Sequence, residues 1–377
     1  MLQLLSHVRL AVLIAFIAPQ LAAQPLQVFD HSPDDFVGAA ACGGCHPAQQ
    51  RDQSKSGHAT SLAPVFEHSL AGSFLPLAPL TPSPQLTYTY GEDSANLVVS
   101  VSDGDQAKDF ALEWAFGAGG QAVTFVGQAD ADRYVEHHLS YYSATDSLSI
   151  TPGHQDSPTR NLDEALGVEY QTFGPKPSIM RCFQCHSTGP LGLGDSFKLE
   201  PNELGVRCEV CHGPGRSHVE AVQRGDKGAV EPTIGNPARL SGSELLQFCG
   251  SCHRPPSSGG EVIDWSDPWN VRHQPVYLGQ SSCFLNSGEA LTCMSCHDPH
   301  EPLSRATPEY EARCQGCHDS SKPPASVCTQ NPASSCVTCH MPAVAPQPNL
   351  RFTNHWIGVY EPGKPLRPRS AGLEGGR

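Results

Sequence analysis

Fourteen of the chain's sixteen cysteines stand in seven copies of Cys-x-x-Cys, and each copy is followed at once by histidine. The copies are Cys42-Gly-Gly-Cys45-His46, Cys182-Phe-Gln-Cys185-His186, Cys208-Glu-Val-Cys211-His212, Cys249-Gly-Ser-Cys252-His253, Cys293-Met-Ser-Cys296-His297, Cys314-Gln-Gly-Cys317-His318 and Cys336-Val-Thr-Cys339-His340. Two thiols three residues apart share one helical turn, and the next residue sets an imidazole beside them. Zinc ribbons and thiol redox pairs make no demand for that histidine, so its sevenfold recurrence argues against both. The chemistry that needs all three groups is covalent haem attachment. The sulfurs form thioethers with the two vinyl groups of a porphyrin, and the imidazole takes its iron. The expectation is seven haem c groups, with His46, His186, His212, His253, His297, His318 and His340 as proximal ligands.

Composition fits a chain whose core is partly cofactor. Hydrophobic residues make up 38% and charged residues 16% of 377 positions, and there are 35 glycines and 34 prolines. Typical domains are about 25% charged, so this chain is rich in loop and short of both side-chain core and charged surface. Porphyrins would supply the missing apolar volume. The formal net charge of -14 disfavours nucleic acid and anionic membranes as partners.

Each iron has a sixth position. Of eighteen histidines, seven are proximal and His7 lies in an N-terminal leader, which leaves ten for at most seven places. The candidates are His58, His137, His154, His218, His273, His300 and His355. In Cys208-Glu-Val-Cys-His-Gly-Pro-Gly-Arg-Ser-His218 the Gly213-Pro-Gly215 turn reverses the chain too soon for His218 to reach the far side of its own haem, so it is expected to serve a neighbour. His300, in Cys293-Met-Ser-Cys-His-Asp-Pro-His300, obeys the same logic. For His137, period-two alternation places Val135, His137, Leu139 and Tyr141 on one apolar face. The bland alternative for any of these is a hydrogen-bonded histidine, the reading given to His31, His68 and His138. Met180, Met294 and Met341 stand in or beside attachment motifs, out of reach of their own haem's distal face. Bis-histidine haems of low potential are therefore expected. The two cysteines left over, Cys283 and Cys328, form a disulfide or remain free thiols.

Along the chain, residues 1–23 read as a secretory signal: Arg9, an apolar run from Leu10 to Ala18, then Ala22 and Ala23 before the cut. That places the protein in the periplasm or otherwise outside the cytoplasm. Residues 24–70 carry the first motif. Residues 80–160 read as a β-rich insert, from alternating segments at Gln85 to Tyr90, Asn96 to Val101, Phe110 to Phe116, Ala122 to Val126 and Tyr134 to Tyr142 separated by Gly/Asp/Ser turns. Residues 161–360 carry six motifs on short helical turns joined by long loops, and 361–377 lack periodicity and are expected to be disordered. The fold class is α+β: short helices and loops wrapped round stacked haems, with an inserted antiparallel β domain.

Several strings resemble the multihaem cytochrome c-552/554 family: CEVCHGPGRSH, the run from Arg272-His-Gln to Ser282-Cys-Phe284, LTCMSCHDPH at 291–300, SCVTCHMP at 335–342 and NHWIGV at 354–359. That family includes tetrahaem electron carriers and is similar in haem packing to octahaem hydroxylamine oxidoreductases and pentahaem nitrite reductases. The resemblance implies distal ligation by His218, His273, His300 and His355. EHHLSYY and TPGH, around His137 and His154, look like strings of bacterial multihaem proteins with a similar insert. Seven motifs exceed the tetrahaem pattern, and the β insert has no counterpart there. The lysine of the nitrite-reductase attachment motif is absent. The function implied is electron transfer between redox protein partners. The alternatives are redox chemistry on a small nitrogen or sulfur compound of the nitrite, hydroxylamine or tetrathionate type at one open haem, and a haem-bearing subunit of a larger respiratory complex.

Overall fold

Strict alternation from Asn96 to Ser102 buries Leu97, Val99 and Val101 completely while their neighbours face outward, which makes this segment a strand. The computed structural model describes residues 31–75, 80–83, 85–173, 178–256, 262–318 and 336–369. The leader expected at 1–23 lies outside them, as does Cys328. Cys283, half-buried, has no disulfide partner among the described residues.

Eleven strands build the β region: β1 (Leu62–Pro64), β2 (Leu80–Ser83), β3 (Leu86–Asp93), β4 (Asn96–Ser102), β5 (Ala107–Leu112), β6 (Trp114–Phe116), β7 (Ala122–Asp130), β8 (Arg133–His137), β9 (Leu139–Tyr142), β10 (Ser147–Ile150) and β11 (Gly167–Gln171). β2-β3-β4-β5 form an antiparallel meander, with Tyr90 opposite Val99 and Val99 opposite Phe110. The second sheet runs β1-β6-β7-β8-β11, and β9 joins it by pairing with β7 and β10. Sheet structure thus reaches beyond the expected 80–160 at both ends. Leu62 pairs with Phe116, and Gly167–Gln171 pairs with β8.

The two sheets enclose a side-chain core of Tyr88, Leu97, Val99, Val101, Phe125, Val135 and Leu139, closed by Phe74 edge-on to Phe125 at 5.0 Å. Each fully buried residue of this kind contributes about 1.5–3 kcal/mol. Gly127 of β7 has no side chain because the carbonyl of Ala111 in β5 occupies the place of a Cβ, which lets the sheets meet at that corner.

β8 is buried on both faces. Val135 and His137 point into the core between the sheets, whereas Tyr134 points the other way, onto Ile179 and Phe183 at the helix Met180–His186 that carries the second motif. Beyond it, β12 (Ser187–Leu193) and β13 (Leu199–Leu204) form a hairpin, and the Tyr134 hydroxyl accepts from the Leu199 amide at 2.8 Å.

Five further motifs sit on short helical elements: Cys208–His212, Gly242–His253, Thr307–Cys317 and Cys336–His340 end at or next to their histidine, and the 3-10 turn Cys293–Ser295 ends two residues before it. Gly242–His253, the longest of them, starts on a Ser241/Glu244 capping box. Glu209, inside the third motif, is 2% exposed. Its carboxylate accepts from the amides of Val37 (3.0 Å), Gly38 (2.8 Å) and Gly215 (2.7 Å). It thereby clamps the helix Gly38–Gly43, which bears Cys42, onto the third motif.

The chain end differs from expectation over residues 361–369. Asn354, fully buried, donates to the carbonyls of Pro365 (2.8 Å) and Leu366 (3.1 Å). Leu366 packs with Trp265, Tyr277 and Trp356, and Arg367 lies over the Trp356 ring at 5.8 Å. A partner distant in sequence orders this stretch, so local composition does not reveal it.

Candidate haem centres

A haem iron needs an imidazole nitrogen with a free lone pair, and the backbone prepares one at several motifs. His186 Nδ1 lies 3.0 Å from the Ser61 carbonyl, His212 Nδ1 2.8 Å from that of Gly235, and His340 Nδ1 2.8 Å from that of Gly358. A carbonyl can only accept, so Nδ1 carries the proton and Nε2 is left bare for a metal. His218 and His355 are held alike, donating from Nδ1 to Val230 (2.8 Å) and Thr353 (2.9 Å). Burial keeps several of these rings neutral, the ligating form. His355 and His253 are each pushed down to about 4, chiefly by desolvation, and His58 is lowered by the same cause.

Two imidazoles bound through Nε2 to opposite sides of one metal, with bonds of about 2 Å, have ring centres roughly 6 Å apart. Among the described residues, three such pairs join a motif histidine to a histidine from outside any motif. His253 and His58 are 6.0 Å apart, His212 and His300 6.1 Å with planes 7° from parallel, and His297 and His355 6.3 Å. The residues present therefore fit haem. The supply of side chains agrees, since the large buried cluster belongs to the β region and the haem-motif half has smaller ones. Thiols of different motifs also touch: Cys42 with Cys208, Cys185 with Cys252, and Cys249 with Cys293. Neighbouring motifs are thus packed edge to edge rather than spread along the chain.

Other candidates lie elsewhere. His137 is fully buried between the sheets, with Nδ1 2.6 Å from the Leu166 carbonyl and Nε2 2.8 Å from the Tyr90 hydroxyl. Both nitrogens are taken, so it does not fit an iron ligand. The alternation that set His137 with Val135 and Leu139 is present, but that face packs on the other sheet. His273 Nδ1 lies 3.3 Å from Arg254 Nη1. His46 caps the helix Pro47–Gln53, and His318 caps Thr307–Cys317. His68 is buried against the Gly117 carbonyl at 2.8 Å, and exposed His31 faces Asp35.

His154 belongs to a polar group that sequence reasoning did not assemble. Glu136 Oε2 accepts from His154 Nε2 (3.2 Å) and from the Tyr170 hydroxyl (2.9 Å). The rings of His154 and His138 lie 5.8 Å apart at 29°, and the buried Nδ1 of each has no hydrogen-bond partner among the described residues. Burial, then Glu136, pushes the Cys182 thiol up to about 12, and the same two causes hold the Tyr170 phenol well above its usual range. Arg272, exposed, lies over the Trp269 ring at 5.8 Å. The available signal was a carboxylate, Glu136, beside two histidines in a strand otherwise apolar.

A family model described as cytochrome c554 and c-prime matches residues 154–213. The dissimilatory sulfite reductase MccA of Wolinella succinogenes is 21% identical over 390 residues, covering 82% of this chain and 51% of that protein. The multiheme cytochrome MtrA of Shewanella baltica is 27% identical over 179 residues, covering 43% of this chain and 45% of that protein. The chain spans about half the length of the curated relatives it matches. Among solved structures, the outer cell wall cytochrome OcwA aligns with a TM-score of 0.46 at 15% identity, over 86% of this chain and 79% of that one.

Proposed function

Because the chain is a multihaem c-type cytochrome, we propose that it is an exported electron-transfer protein carrying seven haems, most of them held between two histidines, and passing electrons between two redox proteins. Bound haem supplies a one-electron iron couple whose potential is set by its axial ligands and surroundings. The observation that carries the reading is the set of three imidazole pairs at 6.0–6.3 Å. An iron held on both sides exchanges electrons without opening to substrate. We assign His58, His300 and His355 as sixth ligands opposite His253, His212 and His297. His218 and His273 remain the candidates for two further haems, and His137 is withdrawn. The signal at 1–23 supports export. The test is electron paramagnetic resonance of the oxidised protein: the carrier reading expects low-spin haem signals dominated by bis-histidine sites.

A second reading is favoured by the polar group beside Cys182. The second motif's His186 has the Phe116 ring edge-on at 5.3 Å. One relative acts, by its name, as a sulfite reductase. In this reading the second haem is open on one side and handles a small oxyanion, fed with electrons by the others. A high-spin signal of about one haem, shifted by sulfite or nitrite, supports it, and its absence refutes it.

A further inference from the structure

Two large aromatic rings, Phe173 and Phe197, stand 46% and 53% exposed and meet edge to face with centres 6.4 Å apart. A third exposed apolar residue, Leu193, ends strand β12 where it enters the turn that carries Phe197. The backbone is strained to hold that ring outward. Ser196 and Phe197 both take a φ of 57°, in the left-handed region that residues with side chains avoid. Gln128 of β7 fixes the turn by donating from Nε2 to the Ser196 carbonyl at 2.9 Å, and the Phe173 amide donates to Asp132 Oδ1 at 3.3 Å. Strained residues cluster at binding sites, and exposed apolar groups rimmed by polar ones mark contact surfaces.

The aromatic pair lies close to a haem motif. Leu199, two residues after Phe197, is buried in one cluster with Tyr134, Ile179 and Phe183, and Cys182 packs against that cluster. Phe183 stands between the two cysteines of the second motif, so the hairpin that presents Phe197 rests on the attachment helix Met180–His186. The rim of the pair is acidic. Asp132, Asp195 and Glu200 are exposed, and none of them has a cation partner among the described residues. The cations of the same strands and turns are already taken: Lys198 by Glu113 at 2.9 Å, and Arg133 by Asp130 at 2.6 Å and Glu169 at 3.1 Å. Transient electron-transfer contacts are small, under about 1,200 Å² in all, with an apolar centre and a charged rim that steers the encounter. A rim of this sign selects a basic partner.

We propose that Phe173 and Phe197, rimmed by Asp132, Asp195 and Glu200, form the docking face for a basic redox protein that exchanges electrons with this chain beside its second motif. The step is the transfer of one electron from one iron to another, with no bond made or broken and no proton moved. This rests on the electron-carrier reading and adds where one of the two partners binds and what charge its face carries.

The test uses the full-length, haem-loaded protein, reduced and freed of reductant, mixed by stopped flow with oxidised mitochondrial cytochrome c as a basic monohaem probe. A parallel run with benzoquinone, small and uncharged, reads haem oxidation without docking. The second-order rate with the probe is expected to fall as salt rises, because opposite charges steer the encounter. Phe197→Ala combined with Phe173→Ala should lower that rate roughly tenfold at low salt, and Asp195→Lys combined with Glu200→Gln should lower it and flatten its salt dependence. Haem content, low-spin signals and the benzoquinone rate should not move in either variant. If both variants pass electrons to the probe at the wild-type rate, or the wild-type rate ignores salt, docking is elsewhere and the inference falls while the carrier reading stands. The same holds if the wild-type protein is oxidised by benzoquinone but not by the probe. If it is oxidised by neither, the carrier reading itself fails.

Discussion

Replacing Glu209 by alanine removes one carboxylate and strands three amides at once: Val37 N, Gly38 N and Gly215 N. The carboxylate is 2% exposed, so water cannot simply take its place, and hydrogen bonds to a charged acceptor are each worth about 1.5–3 kcal/mol. Val37 is only half-buried, so water recovers part of its loss. The net cost is roughly 3–6 kcal/mol, and it falls on one contact, the docking of residues 36–53 onto the helix Cys208–His212. Release of that segment costs less than unfolding the two-sheet core, so local opening is the expected response rather than global loss. The assays are amide hydrogen exchange and limited proteolysis of the intact cytochrome. Protection of Gly38 and Gly215 should fall by roughly a hundredfold or more, and cleavage should appear near Phe36, with exchange in β4 and β7 unchanged. Glu209→Gln keeps one acceptor oxygen and should fall between. Unchanged protection of Gly38 in Glu209→Ala would refute the reasoning, because no other acceptor among the described residues takes that proton.

Three further outcomes are expected in other parts of the molecule. Removing His58 should convert the haem of the fourth motif from low to high spin and open it to carbon monoxide, since His58 faces His253 at 6.0 Å; an unchanged resonance spectrum would exclude the pairing. His137 is pushed from 6.5 down to about 3, first by burial. The unfolded chain therefore binds more protons between those pH values, and the β region should lose on the order of 4 kcal/mol as pH falls from 6.5 to 3. Strand circular dichroism against pH should show that loss lessened in His137→Gln, and identical acid curves would contradict it. Asn354→Ala removes the donor to Pro365 and Leu366; proteolysis should then trim the chain back to about residue 360.

Much of the architecture was legible because its signals are local. Alternation from Asn96 to Val101 and from Ala122 to Val126 marks strands that the structure contains, and two thiols followed by an imidazole are the local signature expected of haem attachment. His137 shows where legibility ends. Its period was read correctly, but β8 buries Tyr134, Val135 and His137 alike, and a strand buried on both faces carries no sign of which face meets the haems. Glu136 and His138 were passed over for the same reason. The ordered stretch 361–369 depends on Asn354 and Trp356, and the His58–His253 pair joins residues far apart in sequence; in both, the deciding contact is tertiary. Glu209 sits between the two cysteines of its motif as an arbitrary x, and only the fold reveals the three amides it holds.

Paired cysteine sulfurs are held to anchor iron porphyrins at seven places. Intact mass of the exported protein, taken after denaturation so that only covalent groups remain, tests this directly. The mass predicted is that of the mature polypeptide plus seven haems, with loss of one haem for each motif whose two cysteines are changed to serine. A mass equal to the polypeptide alone, or one unmoved by those substitutions, would contradict it.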